Sequence, residues 1–173
     1  MRKEIYKVYR SVLCWNLFKL PSYPLQMNKK ELVKEMERSI EEVISEAERL
    51  TKKEFETQPM TGTWTAKEIL SHIAAWDLEY ITLSRKAVKG EPLPHFPDFD
   101  TFNAREVSKR SALSRNQLIQ ELRKNRKTYT AFLVALSEQQ LHESEYDFTV
   151  ESLARDIIAH DIHHLEQIRS KRK

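Results

Sequence analysis

Three of the six histidines in the 173-residue chain are spaced in a way that suits metal chemistry. His160 and His164 are four residues apart, so on an α-helix they project from one face, with Cβ atoms about 5–6 Å apart. That spacing lets two imidazoles share one divalent cation. His72 is the only other histidine set squarely on an apolar helical stripe (Ile69, His72, Ile73, Trp76, Tyr80, Leu83), which makes it the candidate third metal ligand. Three neutral imidazoles leave a dication its full charge and at least one open position, where water or an anionic substrate atom can bind. Such a centre suits Lewis-acid chemistry, either lowering the pKa of water for hydrolysis or holding a thiol as thiolate for transfer onto an electrophile. Imidazole serves zinc, nickel, iron or copper alike, so residue type does not select the metal.

A plainer reading competes with this one, because a single histidine on an apolar face is more often a hydrogen-bonded core residue than a ligand. The His160/His164 pair also lacks the glutamate of the H-E-x-x-H protease motif. Asp161 holds that place, is one carbon shorter, and is not assigned the base role. His163 lies about 100° around the helix from His164, which points it to the rim or to solvent. His95, in a proline-rich stretch, and His142, in a polar connection, are surface residues by default, with His95 within conceivable reach of the site. Trp76 could wall a substrate pocket and Glu79 could relay protons, but core packing and a solvated helix edge are the commoner roles. Asn125 and Arg126 interrupt an apolar stripe, and Arg126 is expected to snorkel to water rather than to clamp an anionic substrate.

The elements that must present these residues read as helices. Only two glycines occur, Gly62 and Gly90, too few for the tight turns of an all-β fold. Leu32, Met36, Ile40, Val43, Ala47 and Leu50 mark a first amphipathic helix. A capping box, Thr65 with Glu68, opens the second, and Ser114 with Gln117 opens the third, which carries Leu118, Leu122, Tyr129, Phe132, Leu133 and Leu136. Thr149 is the expected N-cap of the last, with Leu153, Ile157, His160, His164 and Ile168 facing inward and Glu151 in its first turn. Between the second and third helices the alternating prolines of residues 92–97 forbid regular helix, and residues 100–109 predict a helical turn or two. Residues 137–140 predict another short, capped turn. The fold class is all-α: a four-helix bundle with a long crossover between helices 2 and 3.

Composition narrows the partners. The net charge of +3 is concentrated in residues 1–26, where five basic residues face only Glu4, so the rest of the chain is close to neutral and no nucleic-acid partner is expected. Cys14 is the single cysteine, which excludes an intrachain disulfide and a thiolate metal cluster and fits a reducing cytoplasm. No apolar run approaches the ~20 residues that span a bilayer, so no membrane partner is expected either. Residues 1–26 resemble a signal peptide only faintly. Lys7, Arg10 and Asn16 interrupt the apolar stretch and no small-residue cleavage site follows, so they read as a non-native or optional extension, with an amphipathic surface helix as the alternative. Residues 27–173 form the expected single domain.

The run Trp64, Thr65, Ala66, Lys67, Glu68, Ile69, Leu70, Ser71, His72, with the distant His160, Asp161, Ile162, His163, His164, Leu165, Glu166, Gln167, Ile168, resembles the DinB-like superfamily. Asp100, Phe102, Asn103 and Ala104 are similar to that superfamily's crossover, and the likeness runs from about Lys30 to Arg169, leaving the N-terminal extension without a counterpart. The resemblance implies a four-helix bundle, often a homodimer, with a metal triad on His72, His160 and His164. It also implies kinship with S-transferases that use bacillithiol, mycothiol or glutathione, with a maleylpyruvate isomerase, and with the ClbS/DfsB group that includes proteins protecting against a DNA-damaging genotoxin. The expected function is a divalent-metal-dependent enzyme of stress or detoxification that turns a low-molecular-weight thiol, or water, on a small electrophile. The alternative is a nonenzymatic protein that sequesters a toxic small molecule or metal.

Overall fold

The computed structural model describes residues 27–93, 98–146 and 148–171. The N-terminal extension, His95 and Asp147 lie outside the described residues. Seven helices and one small hairpin occur among them: α1 (Lys29–Glu48), α2 (Lys52–Glu56), β1 (Pro59–Thr61), β2 (Trp64–Thr65), α3 (Ala66–Lys89), α4 (Phe99–Lys109), α5 (Arg115–Ala135), α6 (Glu138–His142) and α7 (Val150–Ser170). The four long ones, α1, α3, α5 and α7, form the expected all-α bundle.

Local chemistry sets the helix starts. The capping boxes at Thr65/Glu68 and Ser114/Gln117 are both present, and Thr149 caps α7 by accepting from the Ser152 amide. Gly90, with φ of 65°, ends α3 in the left-handed conformation that glycine adopts without strain. Two elements were not foreseen. Thr51 and Glu54 form a capping box that starts the five-residue α2, too short to show a periodic stripe. Residues 59–65 form a two-stranded antiparallel hairpin whose turn uses Gly62 at φ 53°. The first stripe therefore leaves its helix at Glu48, although Leu50 stays buried in the turn beyond.

The principal contacts are α1 with α5 and α7, and α3 with the same two helices, so α1 and α3 sit on one diagonal and α5 and α7 on the other. The core divides into two apolar clusters along the bundle axis. One holds Met36, Trp76, Tyr80, Tyr129, Leu133, Leu153 and Ile157; the other holds Ile40, Val43, Ile69, Ile73, Leu118, Leu122, Leu165 and Ile168. The order in which each helix crosses the clusters gives its direction: α1 and α7 run one way, α3 and α5 the other. Because α3 and α5 are parallel neighbours, the chain between them must return the full length of the bundle. That is the task of the crossover, and α4 occupies eleven residues of it.

A polar layer lies where the two clusters meet. Arg126, expected to snorkel, is instead buried at 2% exposure. Its guanidinium reaches Asp77 on α3 at 3.0 Å, Asp161 on α7 at 2.7 Å, and Ser39 Oγ on α1 at 3.3 Å, and it also donates to the Met36 carbonyl. Ser39 Oγ in turn donates to Asp161 at 2.6 Å, and the neighbouring Asn125 donates to the Ala74 carbonyl at 3.1 Å. Arg126 lies inside because two buried carboxylates, one from each flanking helix, satisfy its donors better than a stretched exit to water would.

Candidate metal centre

His72 comes from the second turn of α3, and His160 and His164 from the C-terminal half of the antiparallel neighbour α7. All three meet on the hairpin side of the polar layer. His72 Nε2 lies 2.8 Å from His160 Nε2, and His164 Nε2 lies 3.0 Å from the same atom. One donor atom from each residue falls within 4.8 Å of the others. Three imidazole nitrogens bound at about 2.0–2.1 Å to one ion would stand roughly 3 Å apart, a spacing that the two pairs through His160 Nε2 already have, so the three residues could hold a single cation once His72 and His164 draw closer.

The atoms behind the rings strengthen that fit. Asn103, on α4, accepts at Oδ1 from Trp76 Nε1 at 3.0 Å and meets His72 Nδ1 at the same distance. An indole nitrogen can only donate, which fixes the amide's orientation and makes His72 Nδ1 the second donor to Oδ1. His72 Nε2 is then a bare lone pair aimed at the other two rings. Gln167, one turn beyond His164, faces His164 Nδ1 through Oε1 at 2.7 Å and His163 Nε2 through its amide nitrogen at 2.8 Å. That leaves the His164 Nε2 lone pair pointing inward as well. Two lone pairs converge on His160 Nε2, which carries at most one proton when neutral, and a cation could take the place of the missing proton.

Protonation is a poor substitute for a metal here. Burial above all, together with the neighbouring imidazoles, holds His72 and His160 well below the usual histidine range, and burial pushes His164 down to about 4. A histidine lowered on folding contributes stability above its unfolded pKa and loses it as pH falls through the folded value. His164 alone accounts for on the order of 3 kcal/mol between about pH 6.5 and 4. Asp77 works in the opposite direction. Burial, with Asp161 beside it, raises Asp77 to about 6, so its share of stability is present at low pH and is lost as pH rises toward 6. With three imidazoles against one carboxyl, the metal-free protein should show a urea midpoint that falls as pH is lowered from 6.5 to 4. A flat or rising midpoint would contradict the burial of neutral imidazoles.

The structure brings His72, His160 and His164 together and leaves the other named residues aside. His163, expected at the rim or in solvent, is half-buried and turned to Gln167. His142 pairs with Glu138 at 3.3 Å. Trp76 is a core residue at 1% exposure, yet its indole nitrogen sets the orientation of Asn103. Glu79 is partly buried, its carboxyl raised by that burial, and it makes no hydrogen bond to the three histidines. Asn103 and Gln167 received no role from the sequence. Gln167 was legible in principle, three residues after His164 on the same face. Asn103 reaches His72 only because the crossover folds back. If the three histidines are the ligands, Asn103→Ala should weaken metal binding by about 10–100-fold through loss of ring orientation, measured by competition with a chelator.

An all-α bundle with three imidazoles converging from two antiparallel helices defines the class: a helical bundle carrying a three-histidine group that could hold a metal ion. The chain belongs to the DinB superfamily, whose family model matches residues 25–168. No curated protein matches it significantly in sequence. Its fold is similar to that of YfiT from Bacillus subtilis, described as a probable metal-dependent hydrolase with an unusual four-helix bundle topology (19% identity, 88% of this chain and 90% of that one, TM-score 0.70). It is also similar to the colibactin self-resistance protein ClbS, solved with a double-stranded DNA (14% identity, 87% and 98%, TM-score 0.74). A third similar fold is DfsB, described as a sibling lethal factor precursor (18% identity, 87% and 96%, TM-score 0.71).

Proposed function

We propose that the chain is a metal-dependent enzyme that directs a low-molecular-weight thiol, or water, onto a small electrophile. The observation that carries this reading is the convergence of three imidazoles, those of His72 and His164 buried and with their Nε2 lone pairs fixed inward by Asn103 and Gln167. A divalent cation held by His72, His160 and His164 would supply a Lewis acid able to acidify a thiol or water bound beside it. The chain's own part is to orient the donors, to keep His72 in its Nδ1–H form through Asn103, and to exclude competing solvent through the apolar clusters above and below. Elemental analysis of protein purified without a histidine tag, followed by thiols screened against model electrophiles, tests the proposal. About one equivalent of metal and metal-dependent turnover are expected, and protein that stays metal-free when divalent ions are supplied would defeat it.

A second reading, a nonenzymatic binder, draws support from one face of the bundle. Arg85, Arg123, Lys124 and Lys127 line a groove of about 740 Å³ between α3 and α5. Arg123 is held by Glu41 at 2.9 Å, whereas Arg85, Lys124 and Lys127 form no ion pair with a described carboxylate. The near-neutral body therefore hides a locally basic face, and the expectation of no nucleic-acid partner, drawn from overall charge, does not take that face into account. If the face binds duplex DNA, as ClbS does, affinity should fall with salt at a log–log slope of about −0.9 per phosphate contact, and Lys124→Glu with Lys127→Glu should abolish it. Anisotropy of a labelled duplex that stays flat at low salt would remove this reading.

A further inference from the structure

A second cavity, of about 630 Å³, lies against the candidate metal centre without containing it. It opens between the hairpin, the N-terminal turn of α3 and the crossover helix α4, and it shares two residues with the surroundings of His72. Trp64 forms one wall and meets the His72 ring edge-on at a centroid distance of 5.1 Å. Asn103 forms another, with Oδ1 committed to His72 and Trp76. Its Nδ2 forms no hydrogen bond to any described residue and is the polar atom of that amide left to the cavity.

The charges around the cavity are uneven. Glu56, Glu68 and Asp100 line it against the single ammonium of Lys67, which is engaged by the carbonyl of Ser111, another lining residue, at 2.6 Å. Glu68 is tied into its capping box, and Glu56 has the exposed Lys52 within 4.0 Å. Asp100, exposed in the first turn of α4, forms no ion pair with a described residue. An indole wall beside carboxylates is the arrangement that attracts an organic cation, through the ring's quadrupole and direct charge attraction together.

We propose that this cavity is a binding site for a small organic ammonium ion bearing a hydrogen-bond acceptor, with the cation between Trp64 and Asp100 and the acceptor on Asn103 Nδ2. An acceptor drawn to Nδ2 polarises the amide and strengthens Oδ1 as the partner of His72 Nδ1, so occupancy of the cavity and metal affinity are linked. The site itself stands on the cavity, and only its linkage rests on the metal-dependent function proposed above.

The test titrates the full chain with choline and with its uncharged isostere 3,3-dimethylbutan-1-ol, followed by calorimetry and tryptophan emission, first metal-free and then with zinc. Choline should bind saturably and the alcohol at least about five-fold more weakly. Trp64→Leu and Asp100→Asn should each weaken choline by about three- to ten-fold, and Asp100→Asn, on an exposed side chain, serves if the tryptophan variant fails to fold. Equal binding of the two probes, or choline affinity unchanged in a folded Asp100→Asn variant, overturns the proposal. Zinc should change choline affinity by about five-fold or more, and identical affinities overturn the linkage. His160→Ala separates the two ideas: choline binding that survives there upholds the cavity, whatever becomes of the metal.

Discussion

Replacing Arg126 with methionine should destabilise the protein by about 3–5 kcal/mol, a large part of the ~5–15 kcal/mol that holds a domain folded. The substitution keeps much of the side-chain volume but strands Asp77 and Asp161, each at most 2% exposed, with no cation between them. The pair must then take up protons or unfold the layer around it. Urea unfolding at pH 7 measures the loss directly. Adding Asp77→Asn and Asp161→Asn to the methionine variant should recover part of it at neutral pH. A stability change below about 1 kcal/mol would mean that the buried triad is not the anchor its geometry implies.

The second large effect is expected at His160, the ring whose Nε2 faces both of the others. His160→Ala should reduce metal affinity by well over about 100-fold, since loss of residues that merely orient a ligand already removes 10–100-fold. His164→Ala should follow closely and His163→Ala should not, because His163 Nε2 is turned to Gln167. Metal content after dialysis, alongside turnover once a substrate is found, ranks the three variants. Equal retention in all of them would return the cluster to the status of core histidines. Thermal unfolding of each variant without metal separates ligand loss from misfolding.

Much of this architecture was legible in the sequence because its determinants are local. The stripe from Leu32 to Ala47, the capping boxes at Thr65 and Ser114, and the prolines before α4 each act over a few residues, and the bundle follows from burying four such stripes. The convergence of His72 with His160 and His164 was readable from i,i+4 spacing and one matching stripe. Arg126 was misread because its fate depends on Asp77 and Asp161, which lie 49 and 35 residues away. A charged residue on an apolar stripe cannot be placed inside or outside until its partners are located. Asn103 was noticed as part of the crossover pattern, but its contact with His72 was not, for a related reason: the return of the crossover, not any local pattern, lays it against that ring. The hairpin and α2 escaped because a few residues carry too little periodicity to register.

The Arg126 cluster also bears on how the chain is made. Emerging from the ribosome in order, α1, α3 and α5 can present Met36, Ser39, Asp77 and Arg126 before Asp161 exists. Until α7 arrives, the guanidinium lacks its shortest carboxylate contact, and a three-helix intermediate would enclose an underpaired cation. A bundle that closed without α7 would bury Arg126 against one carboxylate instead of two, so the last helix brings with it both the missing wall and the missing charge.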